Sequence, residues 1–123
     1  MAANLLIEGP TMRMELTVAD GIMAYQPQVA SLVTTIRTFR AGLALTRLRL
    51  IDQGGGVWLY RWDLADGRVW RQNLHPVNQA FFQTFNVTNE FLEAEYSQHR
   101  VVRSAIQDAM LGIALTRLDV TWT

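Results

Sequence analysis

The 123-residue sequence contains no cysteine, which excludes disulfides, thiolate metal sites and a cysteine nucleophile together. It also contains no lysine: all eleven basic residues are arginine, and eleven carboxylates balance them to a net charge of zero. A balanced chain is a poor general polyanion binder, because that affinity comes mainly from neutralising phosphates. Nucleic acid is therefore not the expected partner. Codon bias in a GC-rich genome is the plain cause of an all-arginine set. The functional cause is the forked guanidinium, which outperforms lysine in ion pairs and interfaces. No run approaches the roughly 20 apolar residues a membrane helix needs. The opening MAANLLIEGP lacks the basic and apolar regions of a signal peptide, so it is read as a short arm ending at Gly9-Pro10, in a cytoplasmic or virion-associated protein.

Groups that carry chemistry are equally scarce. The two histidines, His75 and His99, lie far apart without carboxylates at ligand spacing, so no metal is expected. Ser31, Ser97 and Ser104 fall inside expected helices, and no G-x-S-x-G elbow is present. The Gly54-Gly55-Gly56 run enters a strand, whereas phosphate loops open a helix. Asp63/Asp66 and Glu93/Glu95 make no convincing acid–base pair, the latter two pointing apart on a helix. Asn86-Val87-Thr88 matches a glycosylation acceptor by chance. No catalytic residue and no cofactor are expected.

What is present is apolar and patterned. Half the residues are hydrophobic, enough for one packed core at this length. Residues 12–18 alternate as a strand. Val29, Leu32, Val33, Ile36 and Phe39 then recur at helical spacing, with Gly42 as a stop. Strands follow at 43–51 and 57–64, and Asp66-Gly67 signals a hairpin returning through 68–70. A second helical region over 77–111, with a kink at Asn86–Asn89, precedes a final strand over 113–123. The expected fold is α+β: one mostly antiparallel sheet with two helices on one face, in the order β-α-β-β-β-α-β, as a ferredoxin-like two-layer sandwich. Residues 1–11 form the arm and 12–123 the single domain. GLALTRLRL (42–50) and GIALTRLDV (112–120) echo one another, each leaving a helix through glycine to enter a half-buried strand.

Period-two alternation then assigns the sheet's faces. A five-residue loop at 52–56 places Trp58, Tyr60, Trp62 and Leu64 inward with Leu48 and Leu50. Closing the next hairpin on Asp66-Gly67 pairs Leu64 with Val69 and Asp63 with Trp70. The outer face then holds Arg13, Glu15, Arg47, Arg49, Leu59, Arg61, Asp63, Trp70, Gln72, Arg117 and Asp119. As an expected interface it is represented by Arg47, Arg49, Leu59, Arg61, Asp63, Trp70, Arg117 and Asp119. Arginine and tryptophan are enriched where interfaces concentrate their energy, and Trp70 decides the reading, since a hydrated salt-bridge lattice has no need of an indole. The alternative is a plain solvated face of cross-strand ion pairs.

The functional expectation is a non-enzymatic structural or assembly protein. It would self-associate, or dock into a larger complex of protein partners, through the arginine-rich face and the arm. The element order of the last half, a long helix followed by a closing strand, resembles that of phage tail-completion proteins, which implies a virion- or tail-like assembly. The resemblance carries over no residues. The alternative function is a dimeric ferredoxin-like small-molecule-binding protein or enzyme with Trp58, Tyr60, Trp62 and His99 lining a cavity. RNA binding on an open sheet face is disfavoured, because the aromatic platform it needs points inward.

Overall fold

The computed structural model describes residues 3–19, 26–38, 45–54, 56–74 and 99–123. The elements are β1 (Ala3–Glu8), β2 (Met12–Val18), α1 (Gln26–Thr38), β3 (Leu45–Asp52), β4 (Trp58–Leu64), β5 (Val69–Leu74), α2 (His99–Gly112) and β6 (Leu115–Trp122). Expectations for Phe39, Gly42, His75, Ser97, the Asn86–Asn89 kink and the first part of the second helical region lie outside the described residues.

The fold is α+β, with a six-stranded antiparallel sheet in the order β1-β2-β6-β3-β4-β5. β6 is inserted between β2 and β3, and β3, β4 and β5 continue as a meander. This order does not confirm the ferredoxin-like layout. It also contains a strand where the sequence suggests an arm. Residues 3–8, expected as an arm ahead of the fold, pair along the whole of β2, from Ala3 opposite Val18 to Glu8 opposite Arg13. The reason is period two: Leu5 and Ile7 are half-buried against the core while Asn4, Leu6 and Glu8 face outward.

One cluster of buried residues joins the helices to the sheet's inward side. Val29, Leu32, Val33 and Ile36 come from α1, and Val102, Ile106, Ala109 and Met110 from α2. Each set steps at three and four residues, as an amphipathic helix requires. Met12, Met14, Leu16 and Val18 from β2, Leu48 and Leu50 from β3, and Leu118 and Val120 from β6 meet them. The helices pack on each other, where the Gln28 carboxamide donates to the Asp108 carbonyl at 3.1 Å.

The sequence echo has a structural counterpart. The pairing of β3 with β4 shifts between Leu45 and Arg47, making Thr46 an extra residue, and Thr46 donates its hydroxyl to the Asp63 carbonyl at 3.2 Å. The pairing of β6 with β2 shifts at the equivalent place, and Thr116 donates to the Thr17 carbonyl at 3.2 Å. Each L-T-R-L segment is thus a β-bulge in which threonine satisfies a neighbouring carbonyl. The bulge also resets the alternation, so Leu45 and Leu48, three apart, are both buried, as are Leu115 and Leu118.

Candidate functional site

The two hairpins of the meander decide which side chains reach the outer face. Between β3 and β4 the observed register pairs Leu50 with Tyr60 and Leu48 with Trp62, where the five-residue loop at 52–56 would pair Leu50 with Trp58 and Leu48 with Tyr60, a difference of two residues. The loop is shorter because Gln53 donates its N–H to the Val57 carbonyl. A two-residue shift preserves parity, so Tyr60, Trp62 and Leu64 are buried as expected, with Trp58 partly buried beside them.

Between β4 and β5 the shift is one residue, and one residue reverses the faces. Leu64 donates to the Arg68 carbonyl and Gly67 to the Leu64 carbonyl, closing a three-residue loop, Ala65-Asp66-Gly67, with Gly67 at φ 90°. That positive φ is the third position of a three-residue hairpin loop, which glycine adopts freely. Trp70 therefore sits opposite Trp62, and Val69 opposite Asp63. This corrects the expected placement of Trp70, which is 0% exposed and belongs to the core. Tyr60, Trp62 and Trp70 pack mutually edge to face, with centroids 5.5–6.1 Å apart. Burial pushes the Tyr60 phenol well above its ordinary pKa. Gln72 moves inward with Trp70; its buried carboxamide accepts from Arg103 of α2 at 3.1 Å.

The same reversal brings Arg71 to the outer face. The phase of Trp70, Gln72 and Leu74 was the available signal, since an apolar residue at each end of β5 in one register leaves Val69, Arg71 and Asn73 outside. The corrected face carries Arg13, Arg47, Arg49, Arg61, Arg71 and Arg117 with Glu15, Asp63 and Asp119, alongside half-buried Leu59.

Its ion pairs fall into two groups. On the β2–β6–β3 side, Arg47 grips Asp119 with two hydrogen bonds, from Nε to Oδ1 at 2.9 Å and from Nη2 to Oδ2 at 2.7 Å. The hydrogen bond from Arg47 holds the Asp119 carboxyl below its usual range, and Asp119 in turn raises the Arg47 guanidinium. Arg117 lies 3.5 Å from Asp119 and 3.7 Å from Glu15, which also pairs with Arg13 at 3.0 Å. Three arginines here meet two carboxylates, and Glu8 stands opposite Arg13.

The β3–β4–β5 side is less balanced. Arg49, Arg61 and Arg71 occupy one transverse row, Arg49 directly opposite Arg61 and Arg61 directly opposite Arg71. Asp63 is shared, accepting from Arg49 at 2.9 Å and from Arg61 at 2.9 and 3.2 Å. Arg71 is exposed and has no carboxylate among the described residues. Like charges directly opposite each other on a sheet are destabilising, so this row costs the fold something. It continues as Asp119, Glu15 and Leu6 across β6, β2 and β1. The row runs from basic at β5 to acidic and apolar at β1. Chemically, such guanidinium forks bind carboxylates in pairs of parallel hydrogen bonds.

Of the expected interface residues, the structure brings together Arg47, Arg49, Leu59, Arg61, Asp63, Arg117 and Asp119, and removes Trp70. Among the described residues no group of three His, Cys, Asp or Glu forms a metal-ion site, and no helix is long and apolar enough to cross a membrane. Comparison with protein-family models, with curated proteins and with solved structures gave no match.

Proposed function

We propose that this chain is a non-enzymatic assembly protein that docks on an acidic surface of a protein partner through the arginine row of its sheet face, as a component of a larger complex such as a virion- or tail-like assembly. The carrying observation is the row itself. Arg49, Arg61 and Arg71 stand side by side on adjacent strands with Asp63 as their one bonded carboxylate among the described residues. Asp63 offsets part of the charge of Arg49 and Arg61; Arg71 has no carboxylate among the described residues, and an incoming one would supply it. Half-buried Leu59 beside the row adds apolar contact of the kind found at interface centres.

A protein partner suits the face better than nucleic acid. Asp63, Asp119 and Glu15 are interleaved among the arginines, which suits carboxylates placed opposite the arginine row of one folded surface better than a phosphate backbone running across the whole face. The rings that would stack on bases, Tyr60, Trp62 and Trp70, are buried on the other side of the sheet.

The test uses a fluorescent oligoglutamate peptide followed by anisotropy at low salt. The triple variant Arg49→Gln, Arg61→Gln, Arg71→Gln should weaken binding about tenfold, three surface ion pairs with the peptide being worth roughly 1–2 kcal/mol together. The pair Arg13→Gln, Arg117→Gln should weaken it far less. Equal losses in both variants would remove the row from the account. Tighter binding of a single-stranded oligonucleotide of equal charge through the same three residues would replace the acidic protein with nucleic acid.

A further inference from the structure

Among the described residues the sheet ends at β1, and they supply none of the devices by which natural edges avoid pairing. β1 contains no proline and no bulge, its one charge is Glu8 at its end, and Leu6 is 51% exposed. Its hydrogen-bonding phase follows from the turn. Gly9 donates to the Met12 carbonyl at 2.8 Å, so Ile7, Leu5 and Ala3, at two-residue steps before it, turn their main-chain groups toward β2. Asn4, Leu6 and Glu8 turn theirs outward. No described backbone group engages that outer side.

We infer that β1 pairs with β1 of a second copy of this chain about a twofold axis at Leu6, joining two six-stranded sheets into one continuous sheet. The argument is self-complementarity. An antiparallel partner in register Leu6 opposite Leu6 places Asn4 opposite the second copy's Glu8 and Leu5 opposite its Ile7. All three outward residues of each strand then fall at hydrogen-bonded positions. Parity is preserved as well, so both cores lie on the same side and both arginine faces on the other. A one-residue slip would set Leu5 against Leu6, bringing a core-side residue opposite an outer one and taking the outward groups out of phase. A two-residue slip keeps parity but leaves Glu8 in one direction, or Asn4 in the other, without an opposite residue in β1.

The side chains fit the same register. Leu6 meets Leu6 across the axis and loses its exposure to water. Asn4 already accepts from the Thr17 hydroxyl through Oδ1 at 2.8 Å, which leaves its Nδ2 as a donor for the second copy's Glu8 carboxylate. No like charges face each other at the seam. An isologous contact of this kind closes on itself and gives a discrete dimer. It uses a different surface from the arginine row, so either can fail without the other.

The absence of cysteine makes the test clean, because a single introduced thiol can form a protein disulfide only with another chain. Directly opposed residues at a hydrogen-bonded position lie about 5.5 Å apart between Cα atoms, within disulfide reach. Leu6→Cys should cross-link to a dimer under mild oxidation. Asn4→Cys and Glu8→Cys should not cross-link alone, yet their mixture should. Leu6→Pro removes only an outward N–H, and should convert a sedimenting dimer of twice the 14.0 kDa chain mass to a monomer with unchanged far-ultraviolet circular dichroism. Equal cross-linking at all three positions, a wild-type monomer at high micromolar concentration, or a folded Leu6→Pro dimer would each overturn the inference. If Leu6→Pro fails to fold, the cysteine set decides alone.

Discussion

Replacing Trp70 by alanine separates the two possible registers of the β4–β5 hairpin by several kilocalories. In the structure the indole is fully buried and packs edge to face against Tyr60 at 5.5 Å and Trp62 at 6.1 Å. Truncating a buried tryptophan costs about 3–5 kcal/mol, the edge-to-face contacts placing this one toward the upper end. Unfolding entropy near 2.1 cal/mol/K per residue gives about 260 cal/mol/K for 123 residues, so a loss of about 4 kcal/mol lowers Tm by roughly 15 °C. Arg71→Ala is the paired control. Its side chain is exposed and faces Arg61 directly, so its removal should change stability by less than about 0.5 kcal/mol and relieve a like-charge contact. Urea unfolding of both variants, with Tm by calorimetry, gives the comparison. A silent Trp70→Ala with a destabilised Arg71→Ala would show that the hairpin closes one residue away, and the arginine row would lose Arg71.

Three further outcomes follow from the same contacts. Asp119→Asn should cost about 1–3 kcal/mol at neutral pH by weakening the double grip of Arg47. Because the folded carboxyl is held below its ordinary value, that stabilisation is present above about pH 4, the unfolded value, and is lost as pH falls through the folded one. Urea midpoints of wild type and variant should therefore converge in strong acid; a constant gap down to pH 2 would contradict the linkage. Thr116→Val keeps a strand-favouring shape but removes the hydroxyl that donates to the Thr17 carbonyl, and should cost about 1 kcal/mol by the same assay, against less for the more exposed Thr46→Val. Gly67→Ala should cost about 1–2 kcal/mol, since alanine is strained at φ 90°; a neutral result in thermal unfolding would argue that the loop relaxes.

The elements were legible wherever one period held across a segment. α1 shows its buried stripe at Val29, Leu32, Val33 and Ile36, and β2 its strict alternation, because nothing interrupts either pattern. Register was less legible, and the two hairpins show why. Misjudging the β3–β4 loop by two residues left every side chain on its correct face, whereas misjudging the β4–β5 loop by one exchanged Trp70 and Gln72 for Arg71. The difference lay in reading Asp66-Gly67 as the centre of a two-residue turn instead of the end of a three-residue loop. β1 was hidden for another reason. Gly9-Pro10 resembles a boundary, yet it is the turn of a hairpin, and an edge strand with only Leu5 and Ile7 half-buried gives a weak signal of its own. The bulges at Thr46 and Thr116 were visible only as a repeated sequence, because the threonine bonds to chain distant in sequence.

The arginine row as a docking surface is tested most directly by following the arginine Nε–Hε signals by nuclear magnetic resonance during titration with the oligoglutamate peptide. The signals of Arg49, Arg61 and Arg71 should shift together, saturate along one binding curve and return as salt is raised, while Arg13 and Arg37 stay in place. A small, unsaturating drift shared by all eleven arginines would contradict the account, because it would reduce the row to ordinary solvated charge.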